Sequence, residues 1–387
     1  MLIEQPPRLV AIDSASWARI AYDVQSSDAK RILRVFDSGR VAPFFTEFHV
    51  EELVQHKSNA VFRSRVELIR SLPFVAFPKR PDPVGNIGNS LEARELEMRV
   101  LLDWPDAPLD FIVNQVRPRL INGFTRGVEM YESNIEWWMF YRKNFASYML
   151  ASKADVASFC HFPTPNAPNL DAPLPKSSKG LALRSKQAIA QLINESAGSL
   201  IQRLKEDGDR RLQTKERLRS AEEMTYELLN HVYESTSVLH EMEGDFFDNL
   251  LKSGGIERAR LPPNPTYGDA IYEATFVPAL GVHERRLNLP AGTLRQFVRQ
   301  DRLPSWIVWR QTNQAMKTLK KAEGSSLNDA MIVPFALYID AVEVDKRVFH
   351  CVQQRRSRHP LMDRVATHLF CSKGLRGLAS ELENLAR

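Results

Sequence analysis

Acidic residues follow or open short apolar runs at both ends of this 387-residue chain. Asp13 comes directly after the run at residues 9–12, Asp329 opens an apolar helical pattern, and Asp345 follows residues 342–344. An apolar run that ends in an acid is typical of a buried strand with a carboxylate at its C-terminal end, the edge where open α/β sheets bind ligands. Carboxylates that meet there repel one another unless a divalent cation joins them. The pattern therefore predicts a metal site suited to phosphodiester hydrolysis.

Alternating strand and helix patterns at both ends of the chain would position these acids. In the first section the hydrophobic periodicity predicts strands over residues 8–13, 41–43 and 73–77 and helices over 14–36 and 46–72. In the last section it predicts strands over residues 342–344 and 369–371 and helices over 293–300, 305–321, 327–338 and 347–354. Strands and helices that alternate at this spacing predict an α/β fold with a parallel sheet and right-handed crossovers.

A long helical stretch separates the two α/β sections. Residues 85–290 have mainly helical periodicity, interrupted by a proline-rich linker near residues 162–176. Residues 178–253 contain no proline and repeat apolar residues at a spacing of three and four, which predicts a helical hairpin. Because insertions enter domains at loops, we expect one discontinuous α/β domain, residues 1–84 and 291–387, interrupted by a large all-helical insertion.

The composition is that of a globular chain with a basic balance. The net charge is +5 and the isoelectric point is about 9.0, which is compatible with a polyanionic partner. The three cysteines are few and lack metal-ligand spacing, as expected in a reducing compartment. The N-terminus lacks the features of a signal peptide, and Pro334 and Asp340 interrupt the longest apolar run. We therefore expect a cytoplasmic protein without membrane association.

Four ordered sequence elements resemble those of PIN-like nuclease domains. They are Ile12-Asp13-Ser14, the His-Val-Glu-Glu-Leu sequence at residues 49–53 after Pro43, residues 327–332 and residues 338–347. The resemblance implies a three-layer fold with a central parallel sheet, three or four acids around one or two Mg²⁺ or Mn²⁺ ions, and cleavage of RNA. It covers the two terminal sections, whereas the helical insertion is much longer than an ordinary domain of this family holds. Val344 stands where the family often has Thr or Ser.

The resemblance also implies roles for individual residues. The expected catalytic and metal-binding residues are Asp13, Glu52, Asp329 and Asp345. The identity of the second acid stays open, because Glu47 and Glu51 lie on the same segment as Glu52. The residues expected to orient water or carboxylates, or to serve the structure, are Ser14, Asn328, Glu51 and Asp340.

Each acid has a simpler structural interpretation beside the catalytic one. Asp13, Asp329 and Asp345 each stand near the start of a predicted helix, where an acid often caps the helix or favours its dipole. Glu52 could be a solvated helix residue. Downstream of the last predicted acid, four basic residues are expected to meet phosphates: Lys346, Arg355, Arg356 and Arg358.

The sequence therefore predicts a metal-dependent endoribonuclease, with a role in stress response, toxin activity or phage defence suggested by the resemblance. One alternative is a structure-specific DNA nuclease, similar to the flap-nuclease relatives of the fold. A second alternative is a nuclease-like scaffold whose helical insertion binds a protein partner or a second copy of the chain. The apolar pattern over residues 178–253 motivates this scaffold hypothesis.

Overall fold

The computed structural model describes residues 6–54, 56, 58–80, 87–121, 123–143, 171, 173, 260–316 and 324–387. Contacts divide the chain into two compact units, formed by residues 1–156 with 286–387 and by residues 157–285. The first unit contains the sheet and every predicted site residue, because both ends of the chain contribute strands to it.

A parallel sheet of four short strands lies at the centre of the first unit. The strands are β1 (Arg8–Ala11), β2 (Val41–Pro43), β3 (Ala341–Glu343) and β4 (Leu369–Phe370). Their spatial order is β2-β1-β3-β4, and every neighbouring pair is parallel. Val10 pairs with Ala341 and Ala11 with Val342, so the central pair joins the two ends of the chain. The predicted α/β class with a parallel sheet is confirmed.

The part of the chain before residue 144 contains more and shorter helices than the periodicity predicts. Its described helices are α1 (Ser14–Tyr22), α2 (Ser27–Asp37), α3 (Glu47–Val54), α4 (Asn59–Ser71), α5 (Ser90–Asp103), α6 (Leu109–Leu120), α7 (Gly127–Ser133) and α8 (Ile135–Lys143). Both predicted long helices are divided in two, because Ser26 and Ser58 cap a new helix with their hydroxyl groups.

The third predicted strand, at residues 73–77, is reduced to isolated bridges. Ala76 pairs with Phe44 in parallel and Val75 pairs with Thr125 in antiparallel fashion. Pro73 and Pro78 stand at the two ends of this segment and cannot donate to a strand ladder. The proline residues therefore explain why the sheet does not continue into a fifth strand there.

Further helices follow residue 260, and the first of them belongs almost entirely to the second unit. They are α9 (Tyr267–Leu287), α10 (Thr293–Phe297), α11 (Pro304–Met316), α12 (Gly324–Ile332), α13 (Lys346–Arg355), α14 (Pro360–His368) and α15 (Gly374–Leu385). A 3₁₀ helix, Val333–Leu337, joins α12 to the approach to β3. Helices α14 and α15 were not predicted from the sequence.

Both faces of the central strands are buried, as parallel sheets require. On one face, Val10 and Ile12 belong to a core cluster with Trp17 and Ile20 of α1. On the other face, Phe44 meets Phe335 of the 3₁₀ helix, with ring centroids 5.3 Å apart. Helices thus hold the sheet from both sides, and the strand ends are left to form a rim.

The helical insertion is described only in part. The predicted hairpin at residues 178–253 lies outside the described residues, as does the linker near 162–176 except for Asp171 and Pro173. Contacts place residues 85–156 in the same unit as the sheet, whereas the sequence analysis counts them as part of the insertion. Within the described ranges, no helix is long and apolar enough to cross a membrane.

Candidate active site at the carboxyl edge of the sheet

The predicted acids come together where the parallel strands end. Asp13 lies two residues after β1 and Asp345 two residues after β3, and neighbouring parallel strands end at the same edge. The backbone N–H of Asp345 donates to Asp329 Oδ2 over 3.0 Å, so the C-terminal half of α12 reaches this edge, and Asp329 is not in the first turn of that helix. Asn328 Nδ2 donates to Glu52 Oε1 over 2.7 Å and joins α3 to the same place. All four expected acids therefore surround one rim of the sheet.

Two of these acids also cap helices, as the simpler interpretation predicts. Asp13 Oδ1 accepts from the N–H of Ala15 over 2.9 Å, and Asp345 Oδ1 accepts from the N–H of Val348 over 2.7 Å. Each cap uses one oxygen and fixes the direction of the carboxylate. Capping is therefore compatible with a second role, because Asp13 Oδ2 makes no hydrogen bond to the described part of the chain.

Burial and mutual repulsion raise the pKa values of three of the acids. Burial raises the pKa of Asp329 well above its ordinary value, and the charges of Asp13, Asp345 and Glu52 raise it further. Burial raises the pKa of Asp13, with a further contribution from Asp345. Burial also raises the pKa of Glu52 to about 7, against the hydrogen bond from Asn328. The carboxylates are therefore close enough to disfavour one another's charge.

Glu52 is the second acid at this edge, and Glu47 belongs to a separate network. Glu47 Oε2 accepts from Asn89 Nδ2 over 2.6 Å, Glu47 Oε1 accepts from the Tyr141 hydroxyl over 2.5 Å, and Arg80 pairs with Glu47 at 3.6 Å. Glu51 lies near enough to raise the pKa of Glu52. Of the three glutamates that the sequence left open as the second acid, Glu52 and the neighbouring Glu51 lie at this edge and Glu47 does not.

Glu343 is a further acid that the sequence analysis did not assign to the site. It ends β3, is 4% exposed, and lies two residues before Asp345. Its Oε2 accepts from the backbone N–H of Asp13 over 3.2 Å, and its Oε1 accepts from the hydroxyl of Ser16 over 3.1 Å and from that of Ser372. Burial raises its pKa to about 7. In the sequence, the signal that could have identified Glu343 as part of the site was its charge between the apolar residues Val342 and Val344.

Asp340 lies at the opposite end of β3 and has a structural role. Its Oδ2 accepts from the N–H of Leu9 over 2.8 Å, and its Oδ1 accepts from Arg117 over 3.2 Å. The His368 ring lies 2.9 Å from the Asp340 carbonyl oxygen. The structure does not bring Asp340 to the acidic edge, because four residues of extended chain, 341–344, separate it from Asp345. Of its two expected roles, the contacts support the structural one.

The expected phosphate-binding residues separate into two groups. Lys346 is exposed directly beside Asp345, whereas Arg355, Arg356 and Arg358 stand at the far end of α13. That end is about 15 Å along the helix from Asp345. Arg355 is buried and Arg356 pairs with Asp363, so this cluster does not border the acids, and its contact with phosphates stays a prediction.

The arginine cluster lines an open cleft away from the acids, and Arg19 is a further cation near the acidic edge. Arg356, Arg358 and His359 line an open cleft of about 520 Å³. Arg19, which the sequence analysis did not assign, lies exposed on α1 and its charge lowers the pKa of Asp13. Arg19 and Lys346 are therefore the exposed cations that accompany the acids.

The acids fit a hard divalent cation by their chemistry, although they are not a preformed cage. Carboxylate oxygens are the ligands that Mg²⁺ prefers, and Mn²⁺ accepts the same donors. The Ser14 hydroxyl is buried beside Glu52 and lowers the pKa of that carboxyl group, as suits a polar group beside a metal-bound water. Among the described residues, no three His, Cys, Asp or Glu side chains already surround one point. Side-chain rotation would have to bring the carboxylate oxygens together around the cation.

Comparisons with known proteins add no relative. No protein-family model matches the chain, and no curated protein and no solved structure matches it significantly. A function must therefore be inferred from the residues themselves and from their arrangement at the sheet edge.

Proposed function

We propose that this chain is a metal-dependent endonuclease with a PIN-like domain and that RNA is its substrate. The observation that supports the proposal is the meeting of four carboxylates, from both ends of the chain, at the carboxyl edge of a parallel sheet: Asp13, Glu52, Asp329 and Asp345. The same four residues carry the resemblance to PIN-like nucleases. The preference for RNA comes from that resemblance.

In the proposed reaction a water loses a proton to solvent and attacks the phosphorus, the P–O bond to the leaving ribose oxygen breaks, and that oxygen takes up a proton. No covalent nucleophile is needed. Mg²⁺ or Mn²⁺ bound by the carboxylates would lower the pKa of that water and neutralise charge on the phosphoryl oxygens. Asp13 and Asp345 are held in place by the helices that they cap, and Asn328 holds Glu52. Arg19 and Lys346 attract the phosphates to either side.

The test is cleavage of labelled single-stranded RNA and DNA of matched sequence in Mn²⁺, in Mg²⁺ and in EDTA. The variants are Asp13→Asn and Asp329→Asn, which keep side-chain shape and, at position 13, an equally good helix cap. The matched control is Asp106→Asn, because Asp106 is exposed and outside the acidic edge. We expect metal-dependent cleavage of RNA that falls at least about 100-fold in the two site variants and stays unchanged in the control.

Two other results would redirect the proposal. Preferential cleavage of branched or single-stranded DNA would retain the carboxylate site and change the substrate to DNA. Absence of cleavage by folded protein that binds Mn²⁺ at this edge would contradict the proposed activity and favour a scaffold that binds a protein through the insertion.

A further inference from the structure

Glu343 connects three elements at the acidic edge. It stands at the end of the central strand β3, between β1 and β4. Its carboxylate accepts from the backbone of Asp13 after β1, from Ser16 in the first turn of α1, and from Ser372 after β4. The buried Glu343 side chain therefore holds the turn between β1 and α1 that positions Asp13.

The hydrogen bonds occupy both oxygens of Glu343. Oε1 accepts from the hydroxyls of Ser16 and Ser372, and Oε2 accepts from the N–H of Asp13. Among the described residues, no Lys, Arg or His forms an ion pair with it. A carboxylate that is buried and held only by uncharged donors is costly, and three donors offset part of that cost. The arrangement thus differs from that of Asp13, whose Oδ2 is free of such bonds.

We propose that Glu343 is a positioning residue that fixes Asp13 at the sheet edge and is not itself a metal ligand. The inference rests on the proposed nuclease function, which gives Asp13 its task. Loss of the Glu343 acceptor would release the turn between β1 and α1. A displacement of about 1 Å at a reacting group lowers rates by as much as about 100-fold.

Two substitutions at position 343 separate the hydrogen bonds from the charge. Glu343→Gln removes the charge but can accept from the Asp13 N–H with its oxygen and donate to the serine hydroxyls with its amide nitrogen. Glu343→Met has similar length and no such acceptor. A third variant, Ser16→Ala with Ser372→Ala, removes the two hydroxyl donors and leaves the contact with Asp13. It provides a milder disruption if Glu343→Met does not fold.

The measurements are kcat, KM, Mn²⁺ affinity by calorimetry, thermal unfolding, and exchange of the Asp13 backbone amide. We expect Glu343→Gln to keep kcat within about threefold of the parent. We expect Glu343→Met to lower kcat by about 100-fold with little change in KM, to weaken Mn²⁺ binding, and to speed exchange of the Asp13 amide. The amide of Val348, capped by Asp345, is the internal control. The serine double variant should give an intermediate loss.

Three results would overturn the inference. In the first, Glu343→Gln loses as much activity and Mn²⁺ affinity as Asp13→Asn, which would make Glu343 a ligand. In the second, folded Glu343→Met or the serine double variant keeps full kcat. In the third, exchange of the Asp13 amide is unchanged in Glu343→Met. Amide exchange needs no cleavage assay, so failure of the proposed nuclease function is distinguishable from failure of the positioning role.

Discussion

At the scale of single residues, the acids of the edge destabilise one another when no cation is bound. Burial raises the pKa of Asp329, and the charges of Asp13, Asp345 and Glu52 add to the rise. Asp329→Asn relieves this repulsion and keeps an oxygen for the N–H of Asp345. In EDTA at pH 8 we expect the variant to unfold with a free energy about 1–2 kcal/mol higher than the parent. Chemical denaturation measures this, and lower stability of the variant would contradict the repulsion.

The exposed cations at the same edge should affect substrate binding more than chemistry. Arg19→Ala and Lys346→Ala each remove a charge beside Asp13 or Asp345, so we expect KM for RNA to rise about three- to tenfold and its salt dependence to weaken. Arg358→Ala is the matched control, because Arg358 lies beyond the far end of α13, which is itself about 15 Å along the helix from Asp345. Equal effects of all three substitutions would assign the binding surface to the distant cleft instead. Initial rates at several salt concentrations make the comparison.

Sequence patterns predict acids at strand ends better than acids within strands. Asp13 and Asp345 follow apolar runs, so their place at the edge could be read from the spacing. Asp340 also follows an apolar run, but it precedes β3 and therefore lies at the opposite end of that strand from Asp345. The residue at which a strand begins thus determines which edge of the sheet a neighbouring acid occupies. Glu343 interrupts an apolar strand, and its partners Ser16 and Ser372 lie far away in the chain. Only tertiary structure shows such a contact.

At the scale of elements, the start of α7 requires a glycine. A Cβ atom on Gly127 would stand 1.9 Å from the carbonyl oxygen of Ile69 at the end of α4. Gly127→Ala must therefore push two helices apart, and we expect a loss of at least about 2 kcal/mol in the free energy of unfolding. Gly281→Ala is the control, because open space surrounds that position in α9 and alanine favours helix there. Equal stability of the two variants would contradict the close packing of α4 and α7.

Element types were easier to predict than element ends. The alternation of strands and helices gave the parallel sheet, but Ser26 and Ser58 start new helices inside runs whose apolar spacing continues. A side-chain hydrogen bond at a single serine ends one helix and starts the next. The hydrophobic spacing continues through that serine and therefore does not reveal the boundary. The segment at 73–77 has strand-like composition, yet flanking prolines leave it with bridges only. Local hydrogen bonding thus sets the boundaries that hydrophobic spacing leaves open.

At the scale of the whole molecule, stability without a metal should fall as pH rises. The folded pKa values of Glu52, Glu343 and Glu97 are raised to about 7 from 4.5, and that of Asp329 is also raised. Between those values the folded chain binds more protons than the unfolded chain, so the free energy of unfolding decreases from about pH 5 to about pH 7. Burial lowers the pKa of His49 to about 4, so this residue makes the free energy of unfolding increase with pH over the same range. One histidine opposes four carboxyl groups, and the decrease prevails.

A bound cation should cancel the part of this pH dependence that comes from the acidic edge. We expect Mn²⁺ to raise the unfolding temperature more at pH 8 than at pH 5, when each is compared with EDTA. Glu97 is a control, because it accepts from Ser305 and Tyr338 away from the edge. Glu97→Gln should flatten the slope in EDTA and leave the response to Mn²⁺ unchanged. A flat profile in EDTA would show that these buried carboxyl groups do not have raised pKa values in the folded chain.

The pairing of β1 with β3 has a consequence for how the chain acquires activity. The contact between Leu9 and Asp340 spans 331 positions, so forming the central strand pair closes a very large loop and should limit the rate of folding. During synthesis, Asp13 and Glu52 leave the ribosome long before Asp329 and Asp345 are made. The growing chain therefore carries only half of the acids, and the proposed nuclease would become able to cut only after Asp345 has been made and β3 has paired with β1.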